Sequence, residues 1–293
     1  MQKPTHAVQA IILSIVAFSL LPMMDAVGKY LTRDYHVLQI IWGRFFFQAM
    51  ILSAAVFSRR PISILRTRNA GLQTVRAISG WVSTIPFISA LVFIPLADAV
   101  AALMVGPVIV TALSVPILKE KVGFRRWCAV GLGLTGALIV VRPGLGLMHW
   151  AISLPLLAAV LFALFQVLTR RLSATEDRDA TLLFGSYGAA ALSSVALPFV
   201  WKSPDLQGWG FMILTGALFA GAQLTIVRSL HLAPASLLAP FAYVHVIGAI
   251  IIGFTVFGEF PDFWTLFGAA AICVSGIYIA VRERKRLEAR LET

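Results

Sequence analysis

Asp25 and Lys29 stand four residues apart, acid ahead of base, which on a helix is the favourable order for an ion pair. They continue a face through Ser14, Phe18 and Leu21 at spacings of three and four. A pair so placed can line a cavity and meet a substrate or coupling ion. It can equally be a local ion pair at a helix end, with Lys29 reaching to water. Arg44 lies in Trp42-Gly43-Arg44-Phe45-Phe46, inside an apolar run. There it can hold an anionic or carbonyl-rich group by paired hydrogen bonds, or lock to a carboxylate or to helix-end carbonyls. Arg76 opens another run and reads as an interfacial anchor.

Trp81, Phe87, Gln166, Tyr187, Gln223 and Tyr243 also fall inside apolar runs and suit a flat, partly polar ligand. A buried amide needs partners, so Gln166 and Gln223 are candidate cavity groups. His245 is either a proton-coupling group or a hydrogen-bonded packing residue. On one α-helix it would lie about 200° from Tyr243, so the two are not expected to face one cavity. Glu120 and Glu259 sit near helix starts, which a negative charge stabilises, and read as caps.

The elements that position these groups must sit in lipid. Of 293 residues, 59% are hydrophobic and 13% charged, about half the charge a soluble domain carries. Apolar runs of membrane length cover roughly 7–31, 36–58, 72–94, 97–118, 125–141, 150–169, 180–200, 209–230, 235–257 and 263–281. The runs are continuous rather than alternating, so they are helices and not barrel strands. In-run prolines, among them Pro22, Pro86, Pro107, Pro116, Pro198 and Pro240, are expected to kink them. Small residues in the fifth and tenth runs permit close helix packing within the chain and leave a homodimer open.

With the N-terminus in the cytoplasm, 18 of the 24 Lys and Arg residues fall in inside segments and four outside. That bias puts both termini inside and requires an even number of spans. It also accounts for the net charge of +11 without nucleic acid. Cys128 and Cys273 lie in apolar runs without metal spacing, and no phosphate-binding glycine loop is present. No cofactor, metal or direct use of ATP is expected, and an enzyme would need a polar catalytic cluster that these scattered residues do not suggest.

An internal repeat organises the chain. Pro95 and Pro234 are 139 residues apart, as are Glu120 and Glu259. Thr135-Gly136 and Ser275-Gly276 follow at an offset of 140. Five spans per unit is odd, so the second copy must lie upside down relative to the first. The expected architecture is all-α and integral to the membrane: ten transmembrane helices, as two inverted five-helix repeats around a central cavity. The units are 1–145 and 146–282, followed by a basic cytoplasmic tail at 283–293.

Phe93-Ile94-Pro95-Leu96-Ala97-Asp98-Ala99, Leu118-Lys119-Glu120-Lys121-Val122-Gly123, Arg126-Trp127 and Val140-Val141-Arg142-Pro143-Gly144 resemble the end of an EamA-type unit. Gly258-Glu259 and Ser275-Gly276 fit a second one more loosely. The chain thus resembles the drug/metabolite transporter superfamily in its ten-helix form, over nearly its whole length. Met24-Asp25-Ala26-Val27-Gly28-Lys29 and the Val37–Arg44 stretch are similar to a bacterial subgroup. That subgroup includes uptake carriers for riboflavin and S-adenosylmethionine and exporters of amino-acid-derived compounds. The resemblance implies a secondary carrier of a small organic metabolite in the bacterial inner membrane. Read from the residues themselves, Asp25, Lys29, Arg44, Trp81, Gln166, Tyr187, Gln223 and Tyr243 are the candidate substrate contacts.

Overall fold

The computed structural model describes residues 4–118, 127–128, 131–132, 135–136, 139, 150–172, 175–232, 238–271, 273–274 and 277–278. Helices dominate them: α1 (Pro4–Leu31), α2 (Val37–Phe57), α3 (Ala70–Leu91), α4 (Leu96–Leu103), α5 (Gly106–Leu118), α6 (Ser153–Leu172), α7 (Arg178–Val200), α8 (Leu206–Leu232) and α9 (Val244–Phe257). Short 3-10 turns stand at Ile62–Leu65, Trp150–Ile152 and Ala239–Tyr243, and residues 263–271 are helical again. Among the described residues there is no strand. Glu120, Pro234, Ser275, Gly276 and the tail lie outside them, as does most of the expected span 125–141.

Among the described residues, six stretches are long and apolar enough to cross a membrane: Val8–Leu31, Val37–Phe57, Leu96–Ile117, Trp150–Leu172, Arg178–Val200 and Leu206–Leu232. Their outer faces carry large bare side chains such as Val195, Phe199 and Leu206, which in water would be a liability and in lipid are solvated. The chain is therefore a multi-pass membrane protein.

Local signals set the helix ends. The His36, Asp177 and Asp205 side chains accept backbone N–H groups at the starts of α2, α7 and α8. α9 stops at Gly258, whose φ of 70° lies in the left-handed region, and Glu259 N–H turns back to Gly253 C=O. Two expected spans are interrupted. The span 97–118 breaks between α4 and α5, at Met104–Val105, just ahead of Pro107. The described part of 235–257 runs from helical Leu238 through the 3-10 turn Ala239–Tyr243 into α9 at Val244.

Packing runs largely between distant parts of the chain. α1 lies chiefly on α8 and α9, α3 on α6 and α7, and α2 on α7 and α8. α4 and α5 lie on α6, and α4 also meets α9. The core between them is small-residue-rich, with Ala99, Ala101, Ala102, Ala158, Ala159 and Ala249 all buried, which allows close helix approach. α3 is the polar member, carrying Gln73, Arg76, Ser79 and Ser83 inward.

Candidate functional site

Asp25, on α1, is 1% exposed, Arg44, on α2, is 3% exposed, and His245, near the start of α9, is 5% exposed. Helix crossing brings the three together. Asp25 Oδ2 lies 2.9 Å from His245 Nε2, and Asp25 Oδ1 lies 3.6 Å from Arg44 Nη2. The first is a hydrogen bond; the second is an ion pair too long to be one. Gly28, one turn on from Asp25, leaves the guanidinium its space, since a Cβ there would stand 3.1 Å from Nη2. Phe219 of α8 covers the charge, its ring centre 6.0 Å from the guanidinium carbon. Asp25 is about 9 Å along the axis from the end of α1, well inside the apolar stretch.

This cluster is incompletely bonded. Arg44 Nε and Nη2, Asp25 Oδ1 and Gln48 Oε1 are buried without a hydrogen-bond partner. Gln48 stands one helical turn after Arg44 on the same face of α2. Buried polar groups are almost always paired, and unpaired ones are costly, more so in lipid. An arrangement with two open donors and an open carboxylate oxygen side by side is suited to a polar ligand.

Lys29 does not pair with Asp25, contrary to their spacing, nor does it reach to water. Its ammonium donates to Glu259 Oε1 and Oε2 at 2.7 and 2.6 Å and to Ile94 C=O at 3.0 Å. Glu259 Oε2 also accepts Leu96 N–H, 3.2 Å away, at the start of α4. Glu259 is thus a cap, as expected, but of a helix more than 150 residues earlier, and it supplies the countercharge for Lys29 as well. Gly258 is what turns it back into reach. Asp25 meanwhile takes its partners from α2 and α9.

Arg76 is also corrected, from an interfacial anchor to a buried residue, 3% exposed. It donates to Thr169 Oγ1 at 2.7 Å and Thr181 C=O at 2.9 Å, and lies over the Phe165 ring at 4.6 Å. Of the remaining expected contacts, Trp81 donates its indole N–H to Ser193 at 2.7 Å, joining α3 to α7. Tyr187 is exposed and bonds Ser53, joining α7 to α2. Gln166 and Gln223 are half-buried on α6 and α8. Tyr243, which closes the 3-10 turn, is buried like His245. The structure therefore brings Asp25 and Arg44 together and adds His245, which the sequence left between two roles; Gln48, buried one turn along α2 from Arg44, could have been signalled only by that four-residue spacing.

Both ends of the bundle are laced across the chain. At one end the Gln39 side chain donates to Lys202 C=O at 2.7 Å and accepts Lys202 N–H at 3.0 Å. Beside it the Tyr35 hydroxyl donates to Asp205 at 3.0 Å. The Asp205 carboxyl is held below its ordinary range, first by Gly208 N–H and then by Tyr35, while burial and then Asp205 push the Tyr35 phenol up. At the other end Arg60 pairs with Asp177 at 3.1 Å, and Glu176 accepts the N–H groups of Arg68 and Asn69, each at 2.9 Å.

Comparison with known proteins then adds what geometry alone does not. The pattern of the EamA-like transporter family matches twice, over residues 7–142 and 149–282. The chain is 24% identical to the S-adenosylmethionine uptake transporter of Rickettsia prowazekii, covering 96% of this chain and 95% of that one. It is 30% identical to the riboflavin transporter of Brucella anthropi, covering 79% and 84%. A solved crystal structure shares its fold with a TM-score of 0.67 at 18% identity, covering 95% of this chain and 98% of that one.

Proposed function

This chain belongs to the EamA-like transporter family, and from that premise we propose that it is a secondary carrier built of two inverted halves, 1–145 and 146–282, with its substrate site at Asp25, Arg44 and His245. It is a metabolite transporter and not an enzyme. The cargo is a small vitamin, nucleoside-like or amino-acid-derived compound, in keeping with relatives named for S-adenosylmethionine and riboflavin. Its membrane is the bacterial inner membrane, with both termini cytoplasmic.

The observation that carries this reading is the buried, underbonded cluster shared between α1, α2 and α9. Ionisable groups at such depth cost roughly 2.5–3.5 kcal/mol each on insertion scales and mark substrate or ion paths.

The inverted halves are supported by how the helices pair. Exchange each span with the one five places on, so that α1 trades with α6, α2 with α7, α3 with α8, and α4–α5 with α9. The α1–α8 contact becomes α6–α3, α2–α8 becomes α7–α3, α1–α9 becomes α6 with α4–α5, and α2–α7 and α4–α9 map on themselves. The laced ends also exchange: the 32–36 and 201–205 loops trade with residues 175–177 and the 58–69 loop. The 139-residue offset carries the break at Met104–Val105 onto Tyr243–Val244, where the 3-10 turn gives way to α9. Discontinuous helices at matching places in two halves are a recurrent way to build a transporter site.

Alternating access follows if one laced end opens while the other holds. Opening the first end breaks the Tyr35–Asp205 and Gln39–Lys202 contacts and leaves the Arg60–Asp177 end shut. The mirror motion does the reverse, and the site faces each side in turn. The halves are mechanically equivalent, so export is as available as uptake.

The test is flux in proteoliposomes across a panel of vitamins, nucleosides, S-adenosylmethionine and amino acids. We expect gradient-dependent movement of at least one compound, reduced at least tenfold by Asp25→Ala and by Arg44→Ala at matched protein content. No flux for any compound overturns the carrier reading. Flux that falls only in step with the amount of inserted protein overturns the site.

A further inference from the structure

We propose that the 58–69 connection between α2 and α3 is a seat for an anionic phospholipid, with the lipid phosphate on Arg59, Arg66 and Arg68 and an acyl chain beside Ile62. It goes beyond the carrier reading and does not depend on it. The first observation is how the carboxylates at this end of the bundle are shared out. Arg59, Arg60, Arg66 and Arg68 crowd one short connection. The acids that meet it come from the stretch leading into α7 and from its first turn, and each is taken. Glu176 Oε1 accepts the backbone N–H groups of Arg68 and Asn69. Asp177 accepts the start of α7 on Oδ1 and Arg60 on Oδ2, and Asp179 Oδ2 stands 3.7 Å from the same guanidinium. The side chains of Arg59, Arg66 and Arg68 are exposed and have no ion pair among the described residues. Arg171 and Arg178, on the facing stretch, are exposed and without an ion pair in the same sense.

The second observation is the height at which the connection is held. Leu65 packs against Leu52 and Val56 of α2 and Leu183 of α7, near the ends of two helices of membrane length. The loop therefore lies against the bundle where the apolar stretches stop. The 3-10 turn Ile62–Leu65 sets residues three apart on one side. Ile62 thus continues the side of Leu65 away from the bundle, and it is 72% exposed. A bare isoleucine among arginines suits a loop resting on lipid. Its apolar side chain enters the acyl boundary while the long cationic ones stay at headgroup level.

The chemistry of the headgroup selects the occupant. The planar guanidinium meets two oxygens of one phosphate at once. A zwitterionic headgroup brings its own ammonium and leaves the arginine charge unbalanced, whereas an anionic one balances it. Free phosphate satisfies the arginines and leaves Ile62 bare. An anionic phospholipid answers both features together. On the orientation proposed above, it belongs to the cytoplasmic leaflet. Seated so, the loop that carries Arg60 is moored to the membrane, and the Arg60–Asp177 contact works from a fixed point.

The experiment uses the full purified chain. Native mass spectrometry from detergent compares retention of phosphatidylglycerol with that of phosphatidylcholine of the same acyl chains. We expect the unmutated protein to prefer phosphatidylglycerol at least fivefold. The preference should fall below twofold in Arg59→Gln/Arg66→Gln/Arg68→Gln. It should persist in Arg284→Gln/Arg286→Gln/Arg290→Gln, which removes as many charges from the basic tail. A preference that survives the loop substitutions, or that falls as far with the tail ones, overturns the seat. Loss of phosphatidylglycerol to an equimolar amount of glycerol phosphate shows a site for free phosphate and overturns it too. A second measurement leaves every arginine in place. The fluorescence that Ile62→Trp adds, in vesicles of phosphatidylcholine and phosphatidylglycerol at four to one, should be quenched more by brominated phosphatidylglycerol than by an equal amount of brominated phosphatidylcholine. No quenching by either lipid puts the loop in water, and equal quenching by both removes the headgroup choice; each result overturns the proposal.

Discussion

At the scale of single residues, the fate of Asp25 separates what spacing can say from what it cannot. Its place inside an apolar run marked it as costly and so as facing either a cavity or a partner, and the same reasoning picked out Arg44. Spacing also offered Lys29 as its partner, because i,i+4 pairs are the contacts a sequence displays. In the fold, the tertiary partners Arg44 and His245 win, and Lys29 is drawn to Glu259, which accepts its charge and caps α4 at once. Pairings between residues 220 or 230 positions apart leave no local trace. The Asp25–Arg44 relationship has a stability signature. Arg44→Gln or Asp25→Asn alone leaves one buried charge without its counterpart, a loss of about 3–5 kcal/mol for a buried pair. The double substitution removes both and should cost much less. Thermal unfolding in lipid nanodiscs checks this: the double variant should melt above either single variant, while remaining unable to transport.

The helices themselves were largely legible, since hydropathy and length are local properties and lipid enforces them. Their interruptions were legible in part. Prolines were expected to kink spans, and α4 does end shortly before Pro107, yet Pro22 and Pro86 sit within helices that continue through them. At helix ends, two predictions follow. Exchanging the charges, Lys29→Glu with Glu259→Lys, should not restore stability, because Leu96 N–H needs an acceptor and a lysine there would face the positive end of α4. A melting temperature equal to that of the unmutated protein would show that only the ion pair mattered. The Tyr35–Asp205 lace is pH-dependent. Asp205 has a lowered pKa in the folded chain, so its contribution is present above the ordinary carboxylate range of about 4 and is lost as pH falls through the folded value. Tyr35, shifted up, contributes fully below about pH 10 and loses its part as pH rises through its folded value. Unfolding followed against pH should lose this sensitivity at the acid end in Asp205→Asn and at the alkaline end in Tyr35→Phe.

For the whole molecule, the charge bias and the 139-residue offset were visible before any coordinates, because orientation and repetition are written in composition and spacing. What binds the halves together was not, since it depends on which helix faces touch. The orientation has a direct check. Single cysteines placed at Arg33 or Lys202 should react with a membrane-impermeant maleimide from outside intact cells, and those at Arg60 or Arg178 only after the membrane is opened. Labelling of all four from one side would contradict the inward placement of both termini.

Because α1 rests chiefly on α8, the chain must hold its first helices in the bilayer while their partners are still being translated. The stretch from Leu31 to Leu206 takes on the order of ten to thirty seconds to synthesise at ~5–20 residues per second. During that wait Asp25 and Arg44, on consecutive helices, can shield each other's charge, whereas Lys29 lacks its countercharge until Glu259 is made. In the proposed carrier the pair that parts for cargo thus doubles as a passport for insertion, and its strength is bounded on both sides: firm enough to enter lipid unaccompanied, slack enough to be parted afterwards.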